Sequence, residues 1–251
     1  EMRLDNFKFR GLKGATGTQD SFLKLFNGDA AKVQELESRF MSKLGANRYF
    51  PITGQVYPRI VDSQMMNTLG LLGQVIHKIC NDLRVLALLK QVEEPTEEKQ
   101  VGSSAMAYKK NPMRAERSTG VSRYIEHLPN IAAQIAAEQF FERTLDDSST
   151  RRMMIPESFL AADGAILILT NVIQGLVVYP EMIKKHLRDE LPFMATEAII
   201  MAGVQAGGDR QDLHEAIRAH SSEAARNVKM LGLPNDLVER LRERAALGRG
   251  L

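Results

Sequence analysis

Residues 102–114 read Gly102-Ser103-Ser104-Ala105-Met106-Ala107-Tyr108-Lys109-Lys110-Asn111-Pro112-Met113-Arg114, which puts two adjacent hydroxyls, two ammonium groups, an amide and a turn proline beside a flexible glycine. A serine hydroxyl becomes a base or nucleophile when nearby cations and backbone N–H donors stabilise its anion. A mobile basic surface loop accounts for the same composition equally well. No histidine stands close in sequence, so a Ser-His-Asp hydrolase is not indicated.

A second constellation runs from Gln139 to Arg152 and contains Arg143, Asp146, Asp147, Ser148, Arg151 and Arg152. If a helix begins near Asp147, Ser148 and Arg152 lie one turn apart on one face. Cations in a first helical turn oppose the helix dipole, and an anion reconciles them: a phosphate held by Arg143, Ser148 and Arg152 gains charge-assisted hydrogen bonds as well as the dipole. On the residues alone the favoured alternative is that Asp146 and Asp147 supply the negative charge as caps and local partners.

Other chemistries are absent. There is no G-x-x-x-x-G-K-[ST], and Gly11, Gly14 and Gly17 lack dinucleotide-fingerprint spacing. His214-Glu215 is followed by Arg218 where a zinc-protease helix needs a second histidine. His77, among Val75, Ile76 and Ile79, reads as a satisfied packing histidine, and Glu93-Glu94 and Glu97-Glu98 as solvated loop charges.

The elements that must position these groups are helical. Val33, Leu36, Phe40 and Leu44 recur at helical spacing behind Asp29 as N-cap. From Ile60 to Leu89 no proline intervenes and apolar residues crowd more than one face, so this helix needs neighbours on several sides. Two more long helices are predicted, Arg117–Arg143 with a kink at Pro129 and Ser148–Val178 with Pro156 near its start. Shorter ones follow at 181–190, 196–206, 209–231 and 236–247, with Gly207-Gly208 and Gly232 as stops. No stretch alternates like a strand. The fold class is all-α, a long-helix bundle over 1–178 with a smaller helical domain over 179–251. Two irregular segments interrupt it, 45–59 and 93–116, and the second is the place to seek site residues.

The 251 residues carry 33 Lys and Arg against 31 Asp and Glu, for a net charge of +2. That balance disfavours disorder and a nucleic-acid tail. One cysteine, Cys80, excludes a disulfide framework and points to a reducing, cytoplasmic setting. The uncharged run 164–180 contains Thr170, Asn171 and Gln174 and falls short of a clean membrane span, so it reads as a helix buried in protein. The chain begins with Glu1 rather than Met, as a piece of something longer does.

With these segments in view the chain resembles the adenylosuccinate lyases of the fumarase/aspartase superfamily. The 102–112 stretch is similar to the superfamily's signature loop, G-S-S-x-M-P-x-K-x-N-P. The run 141–148 with Arg151-Arg152 is more particular to the adenylosuccinate branch, as are the segments 13–19, 53–55, 190–197 and 207–211. The resemblance covers Arg10 to about Arg240. It implies an all-helical subunit whose central helices join three others in a homotetramer, with each active site assembled from three chains. It implies cleavage of adenylosuccinate to AMP and fumarate, and of the succinyl-carboxamide ribotide of purine synthesis to AICAR and fumarate, with no metal or organic cofactor. The partner is thus a small succinylated purine nucleotide, not a nucleic acid or a membrane.

Carried over to this sequence, the resemblance makes Ser103 the catalytic base, Lys109 and Asn111 contacts to the succinyl carboxylates, Gln55 and Arg117 substrate-binding residues, and Arg143, Ser148 and Arg152 the phosphate contacts. The last assignment reverses the reading from local charges. Ala107 replaces the signature proline, Lys110 an arginine, Ala115 a serine, Phe140 a tryptophan and Thr150 an asparagine, and none of these removes an assigned group. The family's general-acid histidine belongs to a region preceding Glu1, and the carboxyl-terminal helices beyond about Arg240 have no counterpart here. His127, His186, His214 and His220 do not match the acid's motif. A catalytically silent, oligomer-forming core is therefore the competing expectation. A sibling lyase acting on argininosuccinate or malate, which needs no phosphate pocket, is a third.

Overall fold

The computed structural model describes residues 7–46, 48–96, 108 and 110–246. The helices are α1 (Asp20–Leu25), α2 (Ala30–Lys43), α3 (Ile60–Leu88), α4 (Met113–Ala137), α5 (Asp147–Gln174), α6 (Pro180–Met194), α7 (Thr196–Gln205), α8 (Arg210–Leu231) and α9 (Leu237–Ala246). Two strands of two residues, β1 (Val92–Glu93) and β2 (Val177–Val178), pair into a minimal sheet that the sequence pattern does not announce. The chain divides into two compact units, Glu1–Val177 and Val178–Leu251.

The first unit is built on α3, α4 and α5. Gly70 of α3 meets the ring of Pro129, and Gly73 meets Ser122 and Ile125, so α4 descends as α3 rises. Small residues at these crossings let the backbones approach, and Ile76, Cys80, Ala115, Ile125, Ala162 and Ala165 close the core between the three helices. A second buried group, Met66, Leu128, Ala132 and Met154, fills the end where α3 and α5 begin. Pro129 stays inside a continuous α4, and α4 starts at Met113, inside the segment read as loop. His77 is satisfied as expected, its Nδ1 3.0 Å from Glu126 Oε1.

Two expectations fail here. The buried stripe of α2 is Val33, Glu37 and Met41, whereas Phe40 and Leu44 are exposed. The helix is turned because Glu37 goes inward: its carboxylate accepts from the Leu12 N–H at 3.0 Å and from Gln19 Nε2 at 3.0 Å, and pairs with buried Lys13. The second concerns α5, which ends at Gln174 and has only 22% of its most apolar window buried. Leu160 and Leu167 are exposed on it, as are Leu71 and Val75 on α3. One chain covers one flank of each helix and leaves the other apolar flank open. By length and composition alone, α5 is also the one described helix suited to cross a membrane.

In the second unit Ile200, Ile217, Ala224, Leu237 and Leu241 form the core. Asp209 caps α8 through the N–H groups of Gln211 and Asp212, and the helix stops at Gly232.

Candidate active site

Those of the residues singled out from the sequence that are described lie at two ends of the α3–α5 bundle. At the first end α5 begins at Asp147, with Asp146 as its cap accepting from the Asp147 N–H at 2.9 Å. The local-partner reading of Asp147 does not hold. Its carboxylate Oδ2 takes the Arg59 Nε at 2.6 Å, 88 residues away in sequence, with both side chains about 5% exposed (5% and 6%). Arg59 also donates its backbone N–H to Gln139 Oε1 at 2.9 Å.

Beside this pair, Asp62 accepts from Tyr57 Oη and from Arg151 Nε, each at 2.6 Å, and Arg151 donates a further bond to the Tyr57 hydroxyl. Burial first, and then the hydrogen bond to Asp62, push the Tyr57 phenol above its ordinary 10.0, so it remains a donor at neutral pH.

Those bonds commit Asp62 and Asp147 to Arg151 and Arg59. Arg143 reaches only the backbone oxygen of Thr144, at 3.2 Å, and Arg152 is exposed. Among the described residues no carboxylate pairs with Arg143 or Arg152. Half-buried Ser148 and exposed Arg152 stand one turn apart in the first turns of α5, and Arg143 precedes them in the chain.

Gln55 is brought to this end by close backbone packing. Gly17, at φ 92, lies against the carbonyls of Thr53 and Gly54, and Gly54 lies against the backbone of Glu142, where a Cβ does not fit. The Gln55 N–H donates to Glu142 O at 3.0 Å, next to Arg143, and the Gln55 side chain is exposed. The 12–19 segment is therefore a brace, tied to Glu37 on one side and to 53–54 on the other. Phe141 holds φ 28 and is 97% exposed, a strained aromatic at the rim beside Arg143.

The second end holds Asn111 and Arg117. Asn111 is half-buried, its carbonyl accepts the Met113 N–H at 2.8 Å, and it lines a crevice of about 20 Å³ with Glu93, Glu94 and Lys110, room for about one water. Arg117 is exposed on α4. Ser103 and Lys109, with Ala107 and the Glu97-Glu98 pair, lie outside the described residues. Glu93 and Glu94 are not free solvated charges: Glu93 pairs with Lys110 at 2.9 Å, and Glu94 accepts the backbone N–H groups of Arg114 and Ala115.

The two ends do not converge within one chain. The 29 residues of α3 run from the first to the second, a span of roughly 43 Å at 1.5 Å per residue. A nucleotide-sized ligand cannot touch both. A cavity of about 580 Å³ beside Tyr57, Asp62 and Met65 is lined by none of the sequence-derived residues. Among the described residues no cluster of His, Cys, Asp and Glu has the makings of a metal centre.

Sequence reasoning missed Arg59, Tyr57, Asp62, Glu37 and Glu94. The only signal in the sequence was polar side chains within mixed segments, and apart from Tyr57 with Asp62 their pairings span 18 to 94 residues, which leaves no local pattern.

The chain matches two family descriptions, "Lyase" over residues 30–126 and "Adenylosuccinate lyase C-terminus" over 192–250. It is 53% identical over 234 residues to the adenylosuccinate lyase of Schizosaccharomyces pombe, covering 93% of this chain and 48% of that protein. It is 48% identical over 242 residues to the Saccharomyces cerevisiae enzyme of the same name, covering 96% and 50%. The chain thus spans about half the length of these relatives. A fumarate lyase from Mesorhizobium sp. BNC1 superposes with a TM-score of 0.71 at 18% identity, over 94% of this chain and 49% of that one. A 3-carboxy-cis,cis-muconate lactonizing enzyme from Pseudomonas putida superposes with the same TM-score at 17% identity, over 88% and 46%. Both share the helical fold.

Proposed function

We propose, from the premise that this chain belongs to the adenylosuccinate lyase family, that its polypeptide eliminates fumarate from adenylosuccinate to give AMP, and from succinyl-aminoimidazole-carboxamide ribotide to give AICAR, in cytoplasmic purine synthesis. The observation that carries this reading is the pair of guanidiniums at the start of α5, Arg143 and Arg152, which no carboxylate among the described residues pairs with, while Asp147 and Asp62 are committed to Arg59 and Arg151. A sibling lyase acting on a substrate without phosphate has no use for it.

In this reading Arg143, Ser148 and Arg152 hold the phosphate, Gln55 and Arg117 bind the substrate, and Ser103, Lys109 and Asn111 work on the succinyl group. Ser103 as alkoxide takes the proton from the carbon next to a carboxylate. The released electron pair forms a dianion that Lys109 and Asn111 stabilise. The pair then makes the carbon–carbon double bond of fumarate as the carbon–nitrogen bond breaks, and an acid protonates the departing nitrogen. No residue of this chain is assigned as that acid, and no metal or organic cofactor takes part.

The separation of the two ends supports a site shared between copies. So do the open apolar flanks of α3 and α5, which suit the core of a homotetramer. The competing reading is a silent, oligomer-forming core.

An adenylosuccinate cleavage assay on this chain, with and without an added amino-terminal segment of a relative, tests both. Turnover only with the added segment is the expected result. No turnover in either case leaves the silent core standing. Turnover by the 251 residues alone shows that a residue of this chain supplies the acid.

A further inference from the structure

The start of α4 lacks a cap of its own. Its N-cap residue is Pro112, which offers no side-chain acceptor, and the first four N–H groups of a helix need partners from elsewhere. Met113 donates to Asn111 O at 2.8 Å and Glu116 to Pro112 O at 3.0 Å. The two between them go to Glu94, with Arg114 N–H on Oε2 at 2.9 Å and Ala115 N–H on Oε1 at 2.7 Å. Both carboxylate oxygens are thus used, from a residue 20 positions upstream, and the negative charge sits at the positive end of the helix dipole.

Glu94 is itself held. Arg114 Nη1 donates to Pro95 O at 2.8 Å, and the Pro95 ring packs so closely on Gly175, at the end of α5, that a Cβ there stands 2.5 Å from the Pro95 Cβ. The carboxylate therefore ties the first turn of α4 to the segment leaving α3 and to the end of α5.

We propose that Glu94 is a positioning residue for the elimination: by docking the first turn of α4 it sets Asn111, whose carbonyl closes that turn, against the substrate's carboxylates, and Arg117, one turn further on, against the substrate. The inference rests on the functional reading of Asn111 and Arg117 given above. A charge is not enough for this task. Two parallel N–H donors require two acceptor oxygens, and an amide of the same size turns an N–H₂ toward one of them.

The test is Glu94→Gln in the native polypeptide, with Glu94→Asp, which keeps both oxygens on a shorter arm, as the second variant. Steady-state kinetics on adenylosuccinate, thermal melting, and hydrogen exchange of the amides at 113–116 are measured together. The expected result for Glu94→Gln is a kcat lower by roughly 10- to 100-fold, as a displacement of about 1 Å brings. Exchange at Arg114 and Ala115 should be faster, at a melting temperature that leaves the protein folded at assay temperature, and Glu94→Asp should recover part of both changes.

Unchanged kcat in folded Glu94→Gln overturns the proposal. So does a loss of activity that only follows the unfolded fraction. If Glu94→Gln does not fold, the same readings are taken on Glu94→Asp, where normal kcat with slowed or unchanged exchange overturns it. An unsubstituted polypeptide that leaves adenylosuccinate intact overturns the functional reading first, and the role of Glu94 with it. The exchange data alone then still tell whether Glu94 caps α4.

Discussion

Where α5 begins, the groups assigned to the nucleotide stand on buried ion pairs, Arg59 with Asp147 and Arg151 with Asp62 and Tyr57, and on a glycine-to-backbone stack that leaves Gln55 no freedom of register. Where α4 begins, the turn that carries Asn111 depends on one carboxylate from a distant residue, with Arg117 one turn further along the helix. The first end is organised by packing within the bundle. The second is organised by a contact between loop ends, of the kind that opens at lower free energy than a core. Gripping a phosphate needs a fixed cradle, whereas a proton transfer that must exclude water needs a part that moves.

The sharpest way to break this contrast is at Ser103. In the full polypeptide Ser103→Ala should lower kcat on the order of 10³-fold while substrate still binds by calorimetry, because only the proton acceptor is gone. Mixing that variant with Arg143→Ala sharpens the comparison further. If each site joins the two ends from different copies, randomly assembled mixtures should regain activity toward about a quarter of the unsubstituted level, and no recovery would mean that each copy works alone.

Next in size is Asp147→Ala. It leaves the Arg59 guanidinium buried without its partner and should destabilise the fold by about 3–5 kcal/mol in denaturant titration, a cost that a merely exposed pair does not carry. Arg143→Ala alone should raise KM for adenylosuccinate roughly 10- to 100-fold with little change in melting. Equal activity of the unsubstituted protein on dephosphorylated substrate would speak against the phosphate role.

The smallest effect is expected at Tyr57. Tyr57→Phe should cost about 1–2 kcal/mol. The phenol's folded value lies above 10.0, so its contribution is full below that pH and is lost as pH rises through the folded value. The Phe variant should therefore narrow its stability gap to the parent only in alkali.

The long helices were legible because burial on a helix repeats every three to four residues, and α3 ends within one residue of its sequence-derived boundary. Asp29 and Asp209 were legible as starts because capping is local. Glu37 was not, since a carboxylate on a predicted apolar face counts against burial until its partners at 12, 13 and 19 are known. Asp147 was assigned a neighbour and has a partner 88 residues away. The run at 164–180 was read as enclosed, but in the proposed assembly what encloses it belongs to other copies.

The bare flank of α5 carries Leu160 and Leu167 into water. In the proposed assembly each newly made copy is sticky until it meets its fellows, and synthesis rate, crowding and chaperone supply govern how much of it survives. In the test tube the same flank turns dilution into a denaturant: the melting temperature should climb as protein concentration is raised, and a crowded solution should be the most heat-resistant one.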